Sequence, residues 1–131
     1  MNLFETAEFS IDVVGEDTGE KFFGTFTVLK RLTHSLQLKR EAMARELLGP
    51  NPENASPRSK SQASVIADLR VSIVKGPDWL KASNYCADLC DDNILTTLDL
   101  EIDKVRRAAE EEVRKRIQGA KETLKTDLSK E

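Results

Sequence analysis

Residues 8–14 alternate between polar and apolar with a period of two. Phe9, Ile11 and Val13 fall on one side of an extended chain, and Ser10 and Asp12 fall on the other. Gly15-Glu16-Asp17-Thr18-Gly19 is turn chemistry, after which residues 20–29 (EKFFGTFTVL) resume a strand composition rich in Phe, Thr and Val. Two β-prone runs joined by a short glycine-bounded loop predict an antiparallel hairpin. Phe22, Phe26 and Val28 share one face of it with Gly24, and a glycine inside a strand predicts a bulge or a close backbone approach. A lone hairpin is marginal in water. Apart from residues 3–6 the chain offers no third strand, so one hairpin edge is a candidate for pairing with another subunit, unless Lys21 and Lys30 blunt it.

The period then changes to that of a helix. Residues 32–48 can be capped by Thr33 or Ser35, with Leu36, Met43 and Leu47 as the buried stripe, Ala42 beside it, and Gly49-Pro50 as the stop. Residues 51–61 (NPENASPRSKS) have no apolar anchor and read as a surface loop, free or clamped on a partner. A second helix is predicted over 61–75, with Ala63, Ile66, Ala67, Leu69, Ile73 and Val74 inward and Lys75-Gly76-Pro77 as its end. Trp79, the sole tryptophan, should anchor the core from a short turn after Pro77. Residues 84–90 then lead to a last helix, capped by Asp91, Asp92 or Asn93.

That last helix is the longest feature of the chain. Ile94, Leu98, Ile102, Val105, Ala109, Val113, Ile117, Ala120, Leu124 and Leu128 recur three or four apart, with no proline and one glycine among them. A helix to about Ser129 would be a rod of roughly 50 Å. A compact domain of this length has a radius of gyration of only about 14 Å. The rod must therefore outrun the preceding body, a small domain over 1–92, and carry part of its apolar stripe beyond it. Glu110–Arg114, Glu111–Lys115 and Glu112–Arg116 stand in the favourable order for i,i+4 pairs that support an unpacked helix. The stripe's period is nearer 3.7 than 3.5, so it fits a groove or a neighbour's helix as well as a coiled coil. The expected partner-binding residues are Val113, Ile117, Leu124 and Leu128 on the helix, with Phe22 and Phe26 on the hairpin face.

Composition narrows the function. The net charge of −3 is small and its signs are interspersed, unlike the basic face of a nucleic-acid binder. No run approaches a membrane span, and the first residues lack the layout of a signal peptide, which predicts a cytoplasmic protein. Cys86 and Cys90 would share one face of a helix as two small buried hydrophobes, and His34 is too remote to complete a metal site with them. His34 sits in a first helical turn, where a solvated or capping role suffices. The acids Asp88, Asp91 and Asp92 depart from the calcium-loop pattern, with Asn93 where its glycine belongs and Asp99 where its glutamate belongs. No nucleophile–base pair or phosphate-binding glycine loop is present. The residues thus point to neither catalysis nor a cofactor.

Several segments, taken in order, resemble small bacteriophage morphogenesis proteins, particularly tail assembly chaperones. They are Phe23-Gly24-Thr25-Phe26-Thr27-Val28-Leu29-Lys30 with Leu32, Leu47-Leu48-Gly49 before a polar loop, Ala67-Asp68-Leu69 ahead of Pro77-Asp78-Trp79, and Asp91-Asp92-Asn93-Ile94-Leu95 opening a helix. The resemblance covers about residues 9–105, and the charged extension past Val105 departs from it. It implies an α+β domain without catalytic residues, a β-hairpin packed on helices, that binds other phage structural proteins or copies of itself in the host cytoplasm during assembly. The alternative it leaves is a permanent head, neck or tail component of the virion whose long helix docks on neighbouring subunits.

Overall fold

In a computed structural model that describes residues 4–129, with side chains as far as residue 126, β1 (Thr6–Val14) and β2 (Lys21–Leu29) pair in unbroken antiparallel register from Thr6↔Leu29 to Val14↔Lys21. Cross-strand neighbours Phe9 and Phe26 stack their rings 5.2 Å apart on the inner face. Ser10 and Thr25 join hydroxyls at 2.9 Å on the outer one. Gly24 is the predicted close approach. Its φ is +156°, and a Cβ there would stand 2.7 Å from the ring of Pro77.

The remaining elements are α1 (His34–Leu48), a 3-10 turn at Pro52–Asn54, α2 (Pro57–Ser72), β3 (Ile73–Lys75), α3 (Asp78–Ala82) and α4 (Asp92–Ser129), so the fold is α+β. The third strand comes from where a helix end was expected. α2 stops at Ser72, and Ile73 turns extended (φ −83°, ψ 116°) to pair with Val28 on the edge of β2 away from β1. Ile73 and Val74 are β-branched, and the Gly76-Pro77 that follows cannot continue a helix. On the strand Ile73 is buried and Val74 is exposed. The polar loop is also shorter than expected, because Ser56 caps α2 through the Ser59 amide and Pro57 opens the helix.

The core lies between the inner face of the sheet and the helices. Ile11, Phe22, Phe26 and Val28 meet Leu69 of α2, Leu80 of α3, Cys86, and Ile94, Leu98 and Ile102 of α4. Trp79 completes it, edge-on to Phe22 and Phe26, while its indole N–H donates to the Phe23 carbonyl at 2.9 Å. This corrects the expected role of Phe22 and Phe26. Phe26 is 0% exposed and Phe22 is buried beside it, so that hairpin face is interior and open to no partner. α1 corrects a second expectation, since it has no buried residue. It packs chiefly on α2, outside the main core, which leaves Leu36 and Met43 half-buried and Ala42 and Leu47 exposed.

Between α3 and α4 the chain makes a left-handed turn, with φ of +55°, +55° and +71° at Asn84, Tyr85 and Cys86. Each such residue costs about 1–2 kcal/mol, offset here by a dense local net. Ser83 Oγ donates to the Leu80 carbonyl and accepts from the Cys86 amide, and the Tyr85 amide donates to the Leu80 carbonyl. The turn drives Cys86 into the core and leaves Cys90 exposed, so the two thiols do not share a helical face.

Replacing Gly24 with alanine would push a methyl into Pro77 and strain φ, and should lower unfolding free energy by about 1–3 kcal/mol. Urea titration checks this, and an unchanged midpoint would contradict the close approach.

Candidate functional site

The 38 residues of α4 divide at Val113. Ile94, Leu98, Ile102 and Ala109 are buried, and Val105 and Val113 are half-buried. Beyond that point every described side chain is exposed, including Ile117 at 49% and Leu124 at 62%. At 1.5 Å per residue the whole helix is ~57 Å long. Val113, Ile117 and Leu124 thus form one stripe that begins on the body and ends past it. The side chain of Leu128 lies outside the described residues.

Two open grooves flank the helix where it leaves the body. The larger, about 680 Å³, runs between α4 and the segment joining β2 to α1. Leu32, Ala109, Val113 and Ile117 supply its apolar surface, and Lys30, Arg31, Arg40, Arg106 and Arg114 edge it with Glu110 as the lone acid. The smaller, about 410 Å³, lies between β1 and α4. Lys30 borders both and pairs with Glu112 at 3.6 Å. That pair displaces an expected one, because Glu112 reaches the body and not Arg116. Arg114 in turn meets Glu111 at 3.5 Å, one turn back in the i,i+3 sense, and not Glu110.

A buried ionic knot sets the groove's inner end. Asp68 of α2 accepts two hydrogen bonds of 2.8 Å from Arg106 of α4, one of 3.2 Å from Arg40 of α1, and one from Ser72 Oγ. Burial alone would raise its pKa. The Arg106 hydrogen bonds and charge outweigh that, with Arg40 adding to them, and hold the carboxyl below its ordinary value. Asp99 one layer away moves upward, through burial and the negative charges of Asp68 and Asp103.

At the opposite end of α4, Asp91 does not cap the helix with its side chain. Its carboxylate accepts from the Asp17 amide at 2.7 Å, the Thr18 amide at 3.0 Å and the Thr18 hydroxyl at 2.7 Å, and so holds the hairpin turn. The Thr18 hydroxyl and these amides keep its pKa below the usual carboxylate range. Asn93 joins in, donating to the Val14 carbonyl and accepting from the Glu16 amide. Gly15 is obligatory beneath this clasp, because a Cβ would stand 2.5 Å from the Asp91 carboxylate.

Other reactive groups stand apart. His34 is the exposed first residue of α1, and burial pushes the Cys86 thiol up to about 12. Among the described residues no group of three or more His, Cys, Asp or Glu could hold a metal ion, and no helix is long and apolar enough to cross a membrane. The exposed stripe and the groove beside it are the candidate site. The chain matches no protein-family model, no curated protein and no solved structure.

Replacing Asp68 with asparagine leaves Arg106 and Arg40 without their carboxylate and should cost about 2–3 kcal/mol, below the range for fully buried pairs because both arginines are part-exposed. A depressed folded pKa gives stability that is present above the unfolded value near 3.9 and lost as pH falls through the folded value. Asp99, raised in the fold, acts in the opposite sense. Urea titrations from pH 7 down to about 2 should show the wild-type deficit of the variant shrinking as Asp68 protonates; a deficit constant with pH would contradict the knot.

Proposed function

We propose that the chain is a non-enzymatic bacteriophage morphogenesis protein, a tail assembly chaperone or close relative, which acts by binding other proteins through the exposed part of α4. The observation that carries the binding reading is the stripe itself: Val113 is half-covered by the body, and Ile117 and Leu124 continue the same face with nothing over them. Covering a large aliphatic side chain that stands half exposed contributes ~1–2 kcal/mol, and the adjoining groove adds apolar surface and cationic edges that orient what docks. The phage assignment is supported by the resemblance over residues 9–105. The helix past Val105 lies outside that resemblance and favours a second reading, a lasting place in the virion with the helix wedged against neighbouring subunits.

Mass spectrometry of purified particles together with pull-down from infected lysate separates the two. A chaperone is found in lysate bound to tail-tube or tape-measure proteins and missing from particles, whereas a virion component stays in the particle.

For the binding surface, Ile117→Asp combined with Leu124→Asp should weaken capture of those proteins by about a hundredfold or more, each buried charge weakening it at least tenfold. The melting temperature should stay put, since neither side chain is in the core. Capture at wild-type strength would remove the stripe from the binding surface.

A further inference from the structure

Charge is not spread evenly over this molecule. From Arg114 to Thr126, α4 carries Arg114, Lys115, Arg116, Lys121 and Lys125 against Glu122 alone. On the helix surface Lys121 lies within one turn of both Ile117 and Leu124, and Arg114 lies one turn before Ile117, so cations line the exposed stripe. The opposite sign gathers at the other end of the molecule. The hairpin turn holds Glu16, Asp17 and Glu20, with Asp12 on the adjoining outer face of β1, all exposed and accompanied only by Lys21.

The same hairpin end exposes apolar side chains. Val14 is 51% exposed and Phe23 64%, and the pairings Val14↔Lys21 and Asp12↔Phe23 put both on the outer sheet face beside Asp12. Acids and two uncovered hydrophobes at one end therefore complement cations and two uncovered hydrophobes at the other. They cannot meet within one chain. Asp91 and Asn93 clasp the hairpin turn to the start of α4, and Ile117 lies ~40 Å further along that straight helix.

We propose that the occupant of the stripe is a second copy of this chain: the acidic hairpin end of one copy docks on Arg114, Ile117, Lys121 and Leu124 of the next. This rests on the reading that the stripe binds protein, and it names the partner. The contact is heterologous, since each copy offers a different surface to each neighbour. One docking leaves a free tail and a free hairpin end, so growth continues into a ring if the rotation closes and into a filament if it does not. Val14 and Phe23 cover Ile117 and Leu124, while Glu16 and Glu20 face Arg114 and Lys121. The charged part of the contact fades with salt, and the apolar part remains.

Sedimentation velocity on the full 14.7 kDa chain tests this. At low ionic strength the mean mass should exceed the monomer and rise with protein concentration, and the apparent Kd should be at least about tenfold weaker near 1 M salt, where the Debye length falls to about 3 Å. Arg114→Glu with Lys121→Glu sets acids on the stripe against the acidic hairpin end, and Glu16→Lys with Glu20→Lys sets cations on the hairpin end against the basic stripe. Each variant alone should sediment as a monomer, and an equimolar mixture should assemble again. A thermal melt of each variant guards against misfolding, and if one melts early the wild-type salt and concentration series decides.

A wild-type chain that stays monomeric at all concentrations in low salt would overturn the proposal, as would reversed variants that assemble alone as well as wild type does. It would also fall if the basic helix bound fluorescein-labelled duplex DNA in place of its own hairpin end. A monomer whose Ile117→Asp, Leu124→Asp variant still loses tail-protein capture would remove the second copy as partner and leave the protein-binding reading standing.

Discussion

Ile94, Leu98 and Ile102 pin the first turns of α4 in the core, and the helix that starts there does not end with the core. Sharp kinks in helices arise at proline, glycine pairs, π-bulges or an inserted group, and α4 has no proline and a single glycine, Gly119. Once its base is fixed, its far half has no way back to the body. Every other functional statement about this chain depends on that constraint. The apolar stripe that closes the core at Leu98 runs on along the helix and stands uncovered at Leu124.

Two polar constellations set the direction in which the helix leaves. The Asp91 and Asn93 clasp ties its first residues to the hairpin turn, more than seventy residues away in sequence. The Asp68 knot ties its middle to α2 and, through Arg40, to α1. Buried ion pairs add little net stability, yet breaking one leaves an uncompensated charge, so the Asp68 knot acts on geometry more than on free energy. Between them they place the hairpin turn at one end of the rod and the groove at its midpoint. The molecule has two unlike ends as a result.

Local patterns carried much of this. Period-two alternation at Phe9, Ile11 and Val13 with a glycine-bounded turn specified the hairpin, and Gly24 announced a bulge or a close approach without saying that the ring of Pro77 makes it. The Thr33 cap and the long helix were equally readable, as were the Trp79 anchor and the change from buried to exposed along the stripe. What failed depended on contacts distant in sequence. A three-residue strand at Ile73–Lys75 is too short for a periodic signal, and its pairing with β2 decides what the apolar residues there do. Leu36, Met43 and Leu47 have helical spacing, but spacing does not say how deep a helix sits, and α1 lies outside the core. The alternation puts Phe22 and Phe26 on one face but does not say what covers it, because nothing local tells an inner sheet face from a partner-binding one. Asp91 next to a helix start looks like a cap until the hairpin turn is seen beside it. The separation of charge between Arg114–Thr126 and Asp12–Glu20 was present in the residues and hidden by a near-neutral average.

The projection of α4 is the central claim, and small-angle X-ray scattering of the dilute monomer, at a salt concentration high enough to suppress association, tests it most directly. A straight helix anchored only as far as Val113 predicts a maximum dimension no shorter than ~57 Å and a radius of gyration clearly above the ~14 Å of a compact domain of this length. A radius of gyration at that compact value, with a maximum dimension shorter than the helix, would mean that the tail lies folded on the body and that its stripe is already covered.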